Sequence, residues 1–149
     1  MATRNGSARW EGDVRTGSGH LTVGEDAWTA GYSWSRFAGL DPESEESTDT
    51  NPEEVLAAAH AACFSMALSM HLSLAGHAPS SIETQARVHL RHVEGMPTIQ
   101  QIDLKTEADV PGLEDAAFRD HVEQAKSTCI ISRALAAVEQ INVSASLAS

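Results

Sequence analysis

The chain is 149 residues long and carries 21 aspartates and glutamates against 10 lysines and arginines, a formal net charge of −11 at pH 7. That length suits one domain, residues 1–149, with a core of its own. Such an acidic surface repels phosphate backbones and anionic lipids, so neither nucleic acid nor membrane is an expected partner. No basic segment leading into an apolar stretch opens the sequence, and no secretory signal is expected.

The first forty residues alternate in short stretches broken by glycine. Ala8, Trp10, Gly12 and Val14 fall on one side of "SARWEGDVR", Leu21 and Val23 alternate in "HLTV", and "WTAGYSWSRF" is rich in residues that suit a pleated surface. Together they predict a three-stranded antiparallel meander. The segment "DPESEESTD", residues 41–49, has no periodicity and reads as a solvated acidic loop. A helix is then announced by Asn51 as N-cap, Pro52 at the first helical position and Glu54 to close a capping box, with Gly76 as its stop. This helix is apolar nearly all round, which places it at the centre of the fold. Its apolar run, residues 55–75, is long enough to cross a bilayer. However, His60, Ser65, Ser69, His71 and Ser73 interrupt it and acidic residues precede it, so it reads as a buried helix of a soluble protein.

Two strands follow. Ile82, Ala86, Val88 and Leu90 share a face opposite Glu83, Gln85, Arg87 and Arg91, and Ile102, Leu104, Ala108 and Val110 share a face opposite Asp103, Lys105, Glu107 and Asp109. Gly95 and Pro97 mark the turn between them. A helix is predicted from about residue 113 to 126, with Leu113, Ala117, Val122 and Ala125 as its core stripe, and another from near Cys129 to about residue 140. Ile141, Val143, Ala145 and Leu147 alternate as a last strand. The order β-β-β-α-β-β-α-α-β describes an α+β domain with antiparallel pairing.

Cys63 and Cys129 are the two cysteines of a chain that looks cytoplasmic, where a structural disulfide is disfavoured, and no C-x-x-C pair is present. Spacing alone leaves two readings open, buried inert thiols or redox chemistry. The histidines show no catalytic-zinc spacing, and His89 and His92 would point to opposite faces of a strand, so no metal site is expected. His60 reads as a packed, hydrogen-bonded core residue rather than a general base.

The segment "TNPEEVLAAAHAACFSMALSMHL", residues 50–72, resembles the signature helix of the OsmC/Ohr family of thiol-dependent hydroperoxide reductases, in its osmotically inducible branch. The likeness extends through "RWEGDV", "SRF" at residues 35–37, "DLKTEADVPGL" and "AKSTC", in order along nearly the whole chain. The resemblance implies an intertwined homodimer with antiparallel sheets wrapped around long central helices. It also implies that Cys63 is the peroxidatic cysteine, Cys129 the resolving one, and Arg36 and Glu53 the pair accompanying the reactive thiol. One position departs from the pattern: Ile130 follows Cys129 where the family commonly has proline, which would preset the first helical turn.

The chemistry implied is attack of a Cys63 thiolate on the peroxide O–O bond, giving a sulfenic acid and an alkoxide. Burial in an apolar helix raises a thiol pKa, so a cation is needed. Arg36 is the expected one, held by donating a two-pronged hydrogen bond to Glu53. Cys129 then closes a disulfide that an external dithiol, dihydrolipoyl or another thiol, reduces; no cofactor is expected. Bridging requires Cα atoms within about 7 Å, and the start of a helix would favour the Cys129 thiolate. Trp34, Phe37 and Phe64 are the expected walls of an apolar pocket for organic hydroperoxides. Met66 and Met70 could join them but read rather as core. Two other classes compete: a non-catalytic binding or structural protein of the same fold, and a general thiol-disulfide oxidoreductase. The presence of both cysteines with Arg36 and Glu53 argues against the first, and the 66-residue separation without C-x-x-C against the second. Glu53 and Cys63 lie ten residues apart on one helix, about 15 Å along its axis. Pairing them across a two-fold axis near Ala58, in an alanine-rich stretch that permits close helix approach, is therefore expected.

Overall fold

The computed structural model describes residues 2–25, 27–34 and 49–148, which group into two compact units, Met1–Val55 and Leu56–Ser149. In the first unit, β1 (Gly6–Glu11), β2 (Ser18–Val23) and β3 (Trp28–Tyr32) form the expected antiparallel meander in the order β1-β2-β3. β1 ends at Glu11, so Gly12 and Val14 fall in the connection rather than on the strand. The Trp10 and Tyr32 rings meet at 5.5 Å between centroids. Gly19 of β2 makes room for this pair, because a Cβ there would stand 2.5 Å from the Tyr32 ring.

The long helix α1 spans Pro52–Leu74. Its start is built as its sequence requires: the Glu54 amide donates to Asn51 Oδ1 at 2.8 Å, and the Thr50 hydroxyl donates to the Glu54 carboxylate at 3.1 Å. Its end is a Schellman motif, with the His77 amide on the Leu72 carbonyl, the Gly76 amide on the Ser73 carbonyl, and Gly76 at φ 87°. The helix is long and apolar enough to cross a membrane by length and composition.

In the second unit, β4 (Ser81–Val93) and β5 (Met96–Asp109) form a long antiparallel hairpin. Its turn is Glu94–Gly95, at φ 51° and 80°, as a two-residue loop with both φ positive requires; Pro97 lies inside β5. The register shifts between His89 and Leu90, and Leu90 is exposed instead of sharing the face of Ile82, Ala86 and Val88. Helix α2 (Asp115–Thr128) and the short helix α3 (Ile130–Ala134) then lead to β6 (Gln140–Leu147).

Two expectations are corrected here. β6 pairs with β5 in parallel, so the second sheet, in the order β4-β5-β6, is mixed rather than antiparallel. The helical segment between β5 and β6 is long enough to carry the chain back to the same end of the sheet, which a parallel neighbour needs. The helix expected to continue to about residue 140 ends at Ala134. Pairing of Gln140 with Gln101 claims the chain, and tertiary contacts override the helix-forming tendency of "RALAAVEQ".

One face of the sheet and one stripe of α1 close the core of this unit. Phe64, Leu68 and Leu72 of α1 pack with Leu104, Ala108 and Val110, and with Phe118, Val122 and Ala125 of α2. Thr106, buried in the row between Leu104 and Ala108, is satisfied by the Glu83 carbonyl at 3.1 Å and the Thr84 hydroxyl at 2.9 Å, which in turn bonds Ser65. α1 is not covered all round: Met66, Met70 and Leu74, each four residues on from the last, are 69%, 47% and 79% exposed. The expectation that the methionines are core is thereby overturned. Deleting most of a side chain that the core encloses completely should be costly. Phe118→Ala is expected to lose about 3–5 kcal/mol of unfolding free energy in urea titration at fixed protein concentration.

Candidate active site

Cys63 and Cys129 come together although 66 residues separate them. Cys63 is half-buried on α1, next to the core residue Phe64. Cys129 is 1% exposed and stands between two helices. Its amide closes α2 on the Ala125 carbonyl at 2.8 Å, and its carbonyl accepts the first α3 bond, from Arg133, at 3.0 Å. It is thus C-cap of one helix and N-cap of the next, with the Ser132 amide reaching its sulfur at 3.5 Å. Cys63 packs against the core cluster that contains Cys129, each thiol acts on the ionisation of the other, and both are free.

Backbone amides from the first turn of α3 serve both sulfurs. Burial pushes the Cys63 thiol up, and the Cys129 sulfur pushes the same way; the Ile131 and Ile130 amides oppose them only in part, so the net shift is upward. Burial also acts to raise Cys129. There, however, the hydroxyl and amide of Ser132, the Cys63 thiol and the Ile131 amide outweigh it, and the net shift is downward. Among the described residues no cation contributes to the shift of Cys63.

The remaining expected site residues divide sharply. Arg36 and Phe37 lie outside the described residues. Glu53 sits in the first turn of α1, and its Oε2 is buried with no hydrogen-bond partner among the described residues. Trp34 lines an apolar cavity of about 540 Å³ in the first unit, with Trp10, Val14, Tyr32 and Pro52. Phe64 is fully buried in the core, which does not fit its expected place in a substrate wall. Ser132 was missed by sequence reasoning. Its signal was its spacing: it stands three residues after Cys129, where an N-cap side chain meets the third helical amide. The described residues contain no group of three or more His, Cys, Asp and Glu side chains suited to a metal.

The family model described as OsmC-like protein matches residues 44–144. The chain belongs to the OsmC family. It is 42% identical over 134 residues to peroxiredoxin OsmC of Escherichia coli (strain K12), covering 90% of each chain, and equally similar to peroxiredoxin OsmC of Shigella flexneri. Among solved structures, the OsmC-like protein from Mycoplasma pneumoniae superposes with a TM-score of 0.77 at 14% identity, over 99% of both chains. The organic hydroperoxide resistance protein OhrB of Bacillus subtilis gives 0.70 at 23% identity, over 99% of this chain and 98% of that one. At those identities the two structures establish the OsmC/Ohr fold.

Ile130, where the family commonly carries proline, has a consequence for Cys63. Proline has no amide hydrogen, whereas the Ile130 amide, the smallest of the influences on the Cys63 thiol, opposes the upward push that burial exerts there. The Cys129 backbone, at φ −56° and ψ 119°, already has the conformation that precedes a proline, and Ile130 is the first residue of α3, where proline is tolerated. Ile130→Pro should therefore fold. In a Cys129→Ser background, alkylation of Cys63 by iodoacetamide at neutral pH should slow roughly two- to tenfold, the effect of one lost hydrogen bond worth about 0.5–1.5 kcal/mol. An unchanged rate would remove that amide from the site.

Proposed function

We propose that this OsmC-family protein is a peroxidase that reduces organic hydroperoxides to alcohols, with Cys63 as the attacking thiol and Cys129 as the resolving one. The observation that carries this reading is that two free thiols from distant parts of the chain are packed into one cluster and act on each other, one partly exposed and one sealed. Access supports this division of roles. A peroxide must touch the first sulfur, and Cys63 is open where Cys129 is 1% exposed. The Cys63 thiolate attacks the O–O bond, its sulfur is oxidised to sulfenic acid, and the alkoxide leaves and is protonated to the alcohol. Cys129 attacks that sulfur, the S–S bond forms, the S–O bond breaks, and water is released. An external dithiol, dihydrolipoyl or another thiol, returns both cysteines to thiols. Such a cycle suits the reducing cytoplasm.

The upward shift of Cys63 makes a cation necessary, and Arg36 is the residue we assign. The buried, unpartnered Oε2 of Glu53 supports this, because an orphaned carboxylate oxygen is the acceptor a guanidinium fork completes. Glu53 and Cys63 are nevertheless about 15 Å apart along α1. The exposed stripe of Met66, Met70 and Leu74 on the same helix supports a homodimer in which two such helices cross antiparallel. Each Cys63 would then be served by Glu53 of the partner subunit. Trp34 and Phe37 would contribute the apolar surface for the alkyl group.

The two cysteines should fail differently. Cys63→Ser should abolish consumption of cumene hydroperoxide. Cys129→Ser should consume about one equivalent per subunit and stall as sulfenic acid, or over-oxidise in excess peroxide. If Cys129→Ser turned over like wild type with a dithiol and no monothiol present, the resolving role would be wrong.

Subunit mixing tests the shared site. Glu53→Ala and Cys63→Ser homodimers should each be nearly inactive. Verified heterodimers should recover about one site of two, since one intact Cys63 then faces one intact Glu53. Heterodimers as inactive as their parents would place the glutamate in its own chain.

A further inference from the structure

Behind Cys129 lies a polar pair that the peroxidase cycle has not used. His60, in the middle of α1, is fully buried, and its Nε2 lies 2.7 Å from Ser132 Oγ. Ser132, 7% exposed, donates its amide to the Cys129 sulfur at 3.5 Å, and its hydroxyl helps to lower the pKa of that thiol. Ser132 thus links the buried imidazole, through its hydroxyl, to the thiol it caps. The other ring nitrogen, His60 Nδ1, is buried with no hydrogen-bond partner among the described residues. An imidazolium would have to carry a proton there with nothing to receive it, in a site where burial already lowers the histidine pKa. His60 is therefore a neutral imidazole. The arrangement that leaves no buried N–H unpaired puts its one proton on Nε2 and Nδ1 bare.

That tautomer fixes the hydroxyl. With Nε2–H donating to Ser132 Oγ, the serine proton is directed away from the ring and toward sulfur. From this geometry we infer that His60 and Ser132 together hold Cys129 as the thiolate that attacks the Cys63 sulfenic acid. Ser132 is the catalytic donor, in contact with the reacting sulfur, and His60 is a positioning residue acting through it. Cys129 gives its proton to solvent, and its thiolate forms the S–S bond. The departing hydroxide takes a proton from solvent and leaves as water. Ser132 also borders a cavity of about 370 Å³ in which Glu123, Lys126 and Arg133 are the charged groups, which gives the proton a route out. The pair thus sets the rate of disulfide closure rather than the rate of peroxide attack.

This inference rests on the resolving role proposed for Cys129, and the two can fail separately. Stopped-flow single turnovers with one equivalent of cumene hydroperoxide would follow sulfenic acid formation and its closure to the disulfide across pH. In Ser132→Ala and His60→Leu, closure at neutral pH should slow about tenfold or more, and its pH midpoint should move up, as expected for a thiol that loses a donor to its charged form. The ratio of closure to formation should fall with it. Ser132→Thr keeps the hydroxyl, and His60→Gln keeps an N–H that can donate to it, so both should restore most of the closure rate and return the midpoint toward wild type. A merely packing role would leave the midpoint in place. Closure that keeps the wild-type rate and midpoint in Ser132→Ala and His60→Leu, while Cys129→Ser stalls, would overturn the relay and leave the resolving role intact. Wild-type turnover by Cys129→Ser would overturn both.

Discussion

The burial of one stripe of α1 sets everything else about the second unit. His60, Phe64, Leu68 and Leu72 recur every four residues and are fully enclosed, and that fixes the rotation of the helix about its axis. Cys63, one residue before Phe64, then falls at the edge of the buried stripe, where it is packed against the core and still open. Met66, Met70 and Leu74 are turned outward by the same rotation. A helix that is apolar on both sides has two surfaces to cover. The sheet and α2 cover one of them within this chain, and the proposed dimer would cover the other. Slipping the helix by a single residue would bury the wrong sulfur environment and expose Phe64.

The second constraint is the break between α2 and α3. One residue, Cys129, ends the first helix and begins the second, so its sulfur stands where backbone amides are free of helical partners. Those amides and the Ser132 hydroxyl make a buried thiol easier to ionise, whereas Cys63, with fewer donors and a sulfur neighbour, goes the other way. The opposite shifts divide the labour. In the proposed cycle the accessible sulfur would borrow its activation from elsewhere, and the sealed one would carry its activation with it.

Much of this was legible in the sequence because it rests on local rules. Asn51, Pro52 and Gly76 bound α1 where capping chemistry puts them, and the alternation in β4, β5 and β6 follows the pleat. Where sequence reading failed, a non-local contact had decided. The parallel pairing of β6 depends on the crossover, not on the strand's own residues. α3 stops at Ala134 because the sheet claims residue 140, although the segment between favours a helix. Phe64 went to the core since its neighbours on α1 face the sheet, which a list of aromatics near Cys63 does not reveal. His60 was correctly read as packed and hydrogen-bonded, but its partner, Ser132, lies 72 residues away and leaves no periodic trace.

The central claim is that Cys63 and Cys129 are one redox unit. Intact-mass measurement of the reduced protein after one equivalent of organic hydroperoxide, followed by non-reducing peptide mapping, tests it most directly. The account predicts a loss of two hydrogens per subunit and a single new cross-linked peptide pair joining Cys63 to Cys129, both reversed by dithiol. An unchanged mass, or oxygen added at Cys63 with no link to Cys129, would contradict it.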